Sequence, residues 1–334
     1  MVNMQIIGVV AFYMVAALTM VFVNKAVLNS TPNLTILFMF FQSIMTVILL
    51  HFTALFTSAV SIPKLELATA KKLTALIIVD AAGFTFNALC LRDVEAAFYQ
   101  VARGLVLPLT ISVVALNSRS LPTLKVVACA TVVTIGFFIG VSPSEELPEK
   151  SVPTPLALFY GFLSSLAIAV HAVLIKTSLP VVDGSSTQLS YWSNLGAAVL
   201  LGAVAILKGE ATEFLRMSQS GTWDWSTFAW GNLVTGVVGF MISIAGILSV
   251  KVTSPVTHMF SSAARSVLQV ALGVRIFADV LTTQRAASVF TILCGTLLYT
   301  WVKSREQSAK PPPPPKDIEA QQPIMMEVRE KEEK

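Results

Sequence analysis

"VEAAFYQVARGLVLPLTISVVALN", residues 94–117, decides how the chain is read. From Ala96 to Asn117 the only charge is Arg103. About twenty such residues, rising 1.5 Å each in a helix, cross the roughly 30 Å hydrocarbon core of a bilayer. Arg103 would then lie about 10 Å inside that core. Translocon-based scales set the penalty for an arginine there near about 3 kcal/mol. A residue that unfavourable needs a partner, a water-filled cavity or a ligand.

The rest of the chain agrees with a membrane setting. Of 334 residues, 54% are hydrophobic and 13% charged, and the mean hydropathy is +0.74. A soluble domain carries about 25% charged residues. The net charge of +4 is too small to point to nucleic acid, and no basic patch carries interleaved aromatics. Cys90, Cys129 and Cys294 lie in apolar segments at no metal-ligand spacing, so they read as packing residues. His51, His171 and His258 are isolated and likewise imply no metal, and no cofactor is expected. The N-terminal apolar run lacks a basic n-region and a small-residue cleavage site, so it is expected to persist as a helix.

Long apolar runs lie near 4–27, 34–58, 72–91, 96–117, 122–141, 154–178, 187–207, 228–249, 254–277 and 284–303. The fold class this predicts is an all-α polytopic membrane protein with ten transmembrane helices in the lipid bilayer. From Ser304 the apolar signal ends, and "PPPPP" (311–315) opens a mixed-charge tail that reads as a polyproline spacer and disordered segment. An even number of spans puts both termini on one side, and the Lys and Arg bias of the loops favours the cytosol.

The two halves echo each other. "NKAVLNS" around Lys25 ends the first segment, and "IKTSLPV" around Lys176 ends the sixth. "FYQVARGLV" in the fourth aligns with "FSSAARSVL" in the ninth, setting Arg103 on Arg265. "LPTLKVVACATVV" in the fifth aligns with "LTTQRAASVFTIL" in the tenth. With five segments per half, the second half enters the membrane inverted. The domain reading is a first repeat over 1–141, a luminal linker over 142–153, a second repeat over 154–303 and a cytosolic tail over 304–334. A five-plus-five inverted repeat is the architecture of alternating-access transporters, with the site at the repeat interface.

Lys25, Arg103, Lys176 and Arg265 are the cations within or at the inner edge of these segments, against one carboxylate well inside, Asp80. Lys25 and Lys176 lie near segment ends, where snorkelling to the interface and a place in a cavity are both open. Arg103 and Arg265 lie deeper. The surplus of positive charge suggests a cavity for an anion, and the planar fork of arginine suits phosphate oxygens. Tyr99 precedes Arg103 by one helical turn, and Ser261 precedes Arg265 by the same spacing. For the serines alone, helix packing is the simpler explanation. Tyr191 and Asn194 in "QLSYWSNLGA" could frame a nucleobase, although their place near a helix end fits an interfacial aromatic belt better. No Walker loop, GxGxxG motif or Ser/His/Asp set appears, so neither ATP-driven transport nor an enzyme is supported.

"FVNKAVLN", "AAFYQVARGL", "LPVVDGSSTQLSYWSN", "TSPVTHMFSSAARSVLQ" and "YTWVKSRE" together resemble the nucleotide-sugar transporters of the drug/metabolite transporter superfamily, and most closely the GDP-fucose transporters. The resemblance implies a Golgi antiporter that takes GDP-fucose from cytosol to lumen in exchange for GMP, with room for a homodimer and no nucleic-acid partner. It implies that the seventh segment contacts the base, where Tyr191, Trp192 and Asn194 match the family and Ser193 replaces an asparagine. It implies that the ninth contacts sugar and phosphate, where Ser262, Ala263, Ala264 and Arg265 stand for Gly-Thr-Ala-Lys. The expected binding residues are therefore Lys25, Tyr99, Arg103, Lys176, Tyr191, Asn194, Ser261, Ser262 and Arg265. GDP-mannose, a UDP-sugar or a sugar phosphate are alternative cargoes, and a non-transporting membrane scaffold is an alternative of another class.

Overall fold

The computed structural model describes residues 2–57, 60–143, 147–148, 151–220, 223–252 and 255–308, with the side chains of 2–7, 9–10, 243–262 and 307–308 excepted. Among them the chain is helical, with no strand. Its helices are α1 (Val2–Ser30), α2 (Thr35–Phe56), α3 (Leu67–Asp93), α4 (Tyr99–Ala102), α5 (Val106–Ser118) and α6 (Leu124–Val141), then α7 (Pro155–Ser178), α8 (Ser186–Leu207), α9 (Glu210–Ser220), α10 (Trp225–Val252), α11 (Pro255–Phe277) and α12 (Thr283–Ser308). Eight of the expected segments are helices long and apolar enough to cross a membrane, the first seven and the tenth, among the described residues. Helices α10 and α11 occupy the eighth and ninth. Local chemistry sets several ends. Thr154 caps α7 by accepting from the Ala157 N–H, with Pro155 in the first turn. Asp183 and Gly184, at φ of 51° and 74°, turn the chain into α8.

Three features depart from the sequence expectation. The polar helix α9 was not expected; Phe214 on it packs against Phe41, Trp223 and Phe228. Helix α12 runs on to Ser308, past the expected boundary at Ser304, and the rest of the tail, polyproline run included, lies outside the described residues. Most importantly, the stretch 96–117 is a broken helix. Pro108 has no N–H, and its ring excludes the carbonyl four residues back, that of Gly104. Helix α4 therefore closes in tight turns, Arg103 N–H to Tyr99 O at 3.2 Å and Gly104 N–H to Val101 O at 2.8 Å. Helix α5 restarts beyond, with Leu109 N–H on Leu105 O at 3.0 Å. A Cβ on Gly104 would stand 2.8 Å from Ile292 Cδ1, so a larger residue there would have to push the end of the Ile292 side chain aside. Arg103 sits at the break, with φ −95° and ψ 5°.

Helix α6 packs along α12, α3 along α7, α1 along α10 and α2 along α8. Further pairs are α2 with α10, α3 with α8, α5 with α7, α1 with α11, α5 with α6 and α11 with α12.

At one end of the bundle, charged side chains sit on helix termini. Lys25 Nζ donates to the carbonyls of Leu91 (2.9 Å), Arg92 (3.1 Å) and Val94 (2.7 Å), which uses all three donors of its ammonium. They cap the negative end of α3. Glu210 accepts the Leu37 N–H at 2.9 Å in the first turn of α2. Asp279 Oδ2 accepts the Ala97 N–H at 2.7 Å. Burial pushes the Asp279 carboxyl above the usual aspartate range, against the opposing pull of that N–H. Arg285, 2% exposed, pairs with Glu95 and donates to Val280 O (2.7 Å) and Ser151 O (2.6 Å). Its guanidinium lies 4.7 Å from the centroid of the Phe98 ring. Gln284 donates to Ile139 O at 2.6 Å and Ser142 O at 3.0 Å. These bonds tie the segments after α3, α6, α8 and α11 together. The other end holds a cavity of about 500 Å³ between α5, α6 and α12, lined by Ser118, Thr123, Tyr299, Lys303 and Glu306.

Candidate functional site

The break at Arg103 opens on two cavities, and Arg103 lines both. The first, about 230 Å³, lies between α3 and α7 and is lined by Asp80, Phe84, Asn87 and His171. The second, about 310 Å³, lies against α11 and α12 and is lined by Gln100, Thr110, Arg265, Thr296 and Tyr299. Thr110 and Tyr299 also line the 500 Å³ cavity at the end of the bundle.

Arg103 is held from below by Tyr99. Its Nη1 donates to the Tyr99 hydroxyl at 3.2 Å, and its Cζ lies 5.3 Å from the ring centroid. The Tyr99 hydroxyl donates in turn to Asn87 Oδ1, which Ser164 Oγ reaches at 3.4 Å. Gln100 Nε2 donates to Gln269 Oε1 at 2.6 Å, and Gln269 Nε2 donates to Ala96 O at 3.0 Å. That relay fastens α4 to α11 and so sets Arg103 and Arg265 on one cavity. Both have a buried Nε with no hydrogen-bond partner among the described residues. Gly104, Val106 and Leu107 line the same cavity, so the first turn of α5 adds the positive end of a helix dipole to the two guanidiniums. Two arginines and a helix N-terminus on one cavity can hold a multiply charged anion.

The structure thus brings together Tyr99, Arg103 and Arg265. It sets other expected residues elsewhere. Lys25 is bonded to the end of α3, and Lys176 is exposed in the last turn of α7. Tyr191, 4% exposed, packs with Val47, Leu50 and Val60, its ring 5.3 Å from that of His51. Asn194 Nδ2 donates back to Ser190 O at 2.9 Å. Ser261 and Ser262 lie on α11, their side chains outside the described residues. Sequence reasoning missed two pairs. Asp80 stands 3.4 Å from His171 Nε2, with the Ser193 hydroxyl beside it. Arg285, at the start of the tenth segment, is buried on Glu95. Each pair joins helices far apart in the chain, which no local spacing records.

No protein-family model matches the chain. Over 330 residues, 95% of the chain and 88% of the relative, it is 31% identical to GDP-fucose transporter 1 of Mus musculus. The chain belongs to the GDP-fucose transporter family. It is 30% identical to GDP-fucose transporter 1 of Nematostella vectensis over 317 residues, 91% of each chain. It is 28% identical to GDP-fucose transporter 1 of Dictyostelium discoideum over 305 residues, 88% of this chain and 80% of that one. As a member of the GDP-fucose transporter family it is a multi-pass membrane protein, and its arginine-lined cavities lie among helices long enough to cross a bilayer.

Proposed function

We propose that the chain is an antiporter of the Golgi membrane that carries GDP-fucose from cytosol to lumen and returns GMP. The observation that carries this reading is the cavity shared by Arg103, Arg265 and the first turn of α5. Guanidiniums take phosphate oxygens in pairs, and a diphosphate supplies enough of them for two. A discontinuous membrane helix aiming a half-helix N-terminus at an anion is a device of secondary transporters. The relatives carry the name GDP-fucose transporter, and one at 29% identity, from Drosophila melanogaster, carries the name "GDP-fucose transporter, Golgi".

The packing supports ten spans in two inverted halves, with α10 and α11 as the eighth and ninth. Exchange α1 with α7, α2 with α8, α3 with α10, α4–α5 with α11, and α6 with α12. The pair α3/α7 becomes α10/α1, α2/α10 becomes α8/α3, and α5/α7 becomes α11/α1. The pair α5/α6 becomes α11/α12, while α6/α12 and α2/α8 map onto themselves. Each of these is a packing pair of the bundle.

With cytosolic termini, the end tied by Lys25, Glu210, Asp279 and Arg285 is luminal, and this conformation faces the cytosol. Arg103 and Arg265 clamp the diphosphate, and Tyr99 positions Arg103. Ser261 and Ser262 of α11 serve the sugar, while Tyr191 and Asn194 fix α8 with Ser193 beside Asp80. Lys25 latches the luminal end, and Lys176 serves the cytosolic one. Unpaired arginines cross low dielectric at high free energy, and a bound dianion lowers that barrier, so loaded carriers reorient and empty ones wait. The test is uptake of labelled GDP-fucose into proteoliposomes preloaded with GMP or left empty. Uptake is expected only into the preloaded vesicles; equal rates overturn exchange.

A further inference from the structure

The first cavity holds a group that binding of a diphosphate does not explain. Asp80 is a carboxylate within a membrane-spanning helix, and it faces the cavity that Arg103 also lines. An ionised carboxylate only accepts hydrogen bonds and offers about four lone-pair sites. Asp80 is met by the Ser193 hydroxyl and by His171 Nε2 at 3.4 Å, long for a hydrogen bond. It therefore keeps room for two donors arriving side by side.

The two cavities differ in the sign of the charge that each adds to Arg103. The carboxylate of Asp80 lines one and the guanidinium of Arg265 the other, while Arg103 lines both. A ligand whose phosphates lie at Arg103 and Arg265 points its remaining parts to either side. Phosphate is repelled by Asp80. Sugar hydroxyls both donate and accept, so they are served by Thr110, Thr296 and Gln100 as well as by a carboxylate. A guanine presents two adjacent donors, N1–H and the N2 amine, spaced like the two oxygens of a carboxylate. Adenine, cytosine and uracil present no such pair of adjacent donors. Phe84 lines the same cavity and offers a ring face for the base.

We propose that Asp80 is the guanine-reading residue of the carrier, taking the N1–H and N2–H donors on its two carboxylate oxygens, with Ser193 and His171 orienting it. This rests on the nucleotide-sugar reading above and adds to it the residue that selects the base. On binding, the guanine donors replace the weak His171 contact, and the base lies between α3 and α7.

Melting temperatures of the full-length protein in detergent, titrated with nucleoside monophosphates, test the idea. Wild type is expected to bind GMP about tenfold or more tightly than IMP, which lacks the N2 amine, and than XMP, which carries a carbonyl there. Asp80→Asn offers one acceptor and one donor, which suits the N1–H and O2 of xanthine. It is expected to prefer XMP to GMP, a gain that a misfolded protein cannot show. Equal affinity of wild type for GMP and IMP overturns the inference whatever the variant does. An Asp80→Asn protein that still prefers GMP overturns it too, and so does one that melts like wild type yet answers to neither nucleotide. A wild type that prefers UMP or CMP to GMP overturns the proposed cargo itself, and this inference falls with it.

Discussion

Glu95→Gln removes the counter-ion of a guanidinium whose side chain is 3% exposed. Removing one partner of a buried pair destabilises by about 3–5 kcal/mol, because the other charge stays in place without compensation. Arg285 keeps the carbonyls of Val280 and Ser151 and the face of Phe98, so the lower end, about 3 kcal/mol, is expected. The converse variant, Arg285→Met, strands a carboxylate whose side chain is 20% exposed. Water reaches it, and about 2 kcal/mol is lost, including the bonds to Ser151 and Val280. The double variant carries no stranded charge, so the two losses fall short of adding by about 2 kcal/mol. Each kcal/mol moves the melting temperature of a chain this size by roughly 2 °C, so Glu95→Gln should melt about 6 °C below wild type. The double variant should melt no lower than Glu95→Gln alone. The pair also ties the segment holding Ser151 to those holding Glu95 and Val280. In Glu95→Gln, a cysteine at position 151 should therefore react faster with an impermeant maleimide supplied from its side of the vesicle. Additive single losses, each below about 1 kcal/mol, with unchanged labelling, would refute the reasoning.

Three further outcomes follow from the same geometry. Arg103→Ala should lose the stabilisation by GMP, weakening it by about 2 kcal/mol or more, whereas Arg103→Lys, which keeps charge but not the fork, should retain part of it; nucleotide-dependent melting shifts check both. The Asp279 carboxyl, raised by burial, is held protonated more firmly in the fold than in the open chain, so its contribution is most favourable at low pH and is lost as pH rises through the range above the ordinary aspartate value. Asp279→Asn keeps an acceptor for the Ala97 N–H, so its melting temperature relative to wild type should be highest near neutral pH and should fall on acidification; a relative melting temperature that rises on acidification refutes this. Pro108→Ala restores an N–H and frees the Gly104 carbonyl, allowing α4 and α5 to join; exchange should drop although the protein expresses and melts normally.

How much of this was legible in the sequence depends on the range of the cause. Apolar runs and turn residues act locally, so segments such as 122–141 and 187–207 reappear as α6 and α8 within a few residues. The alignment of Arg103 with Arg265 pointed to one cavity lined by both, because a repeat carries long-range information in its spacing. Pro108 and Gly104 signal the helix break, and reading 96–117 as one apolar run passed over them. Asp80 with His171, and Glu95 with Arg285, were not legible. Their partners lie 91 and 190 residues apart along the chain, and only the packing of α3 on α7 and of the 94–98 segment on α12 brings them within reach. Lys25 shows a subtler limit: the sequence left it open between snorkelling to the interface and a place in a cavity, and its partners are backbone carbonyls, which every residue carries.

The two lysines bring the repeat and the transport cycle into one testable contrast. In the proposed repeat Lys25 and Lys176 occupy matching places, yet the first is 7% exposed and spends its donors on the end of α3, while the second is exposed. A carrier that seals one end at a time has use for only one such latch in each state. Lys25→Met strips the ammonium from the carbonyls of Leu91, Arg92 and Val94 and leaves buried acceptors unpaired, a loss of about 3 kcal/mol. Lys176→Met changes an exposed side chain and should alter stability by less than about 0.5 kcal/mol. If Lys176 latches the cytosolic end in the opposite state, that variant nevertheless slows exchange, because the lumen-facing state loses its counterpart bond. Melting temperature and GMP-driven uptake, measured on both variants, separate the two effects. Equal losses of stability would remove the asymmetry between the ends, and wild-type exchange by Lys176→Met would remove the second latch.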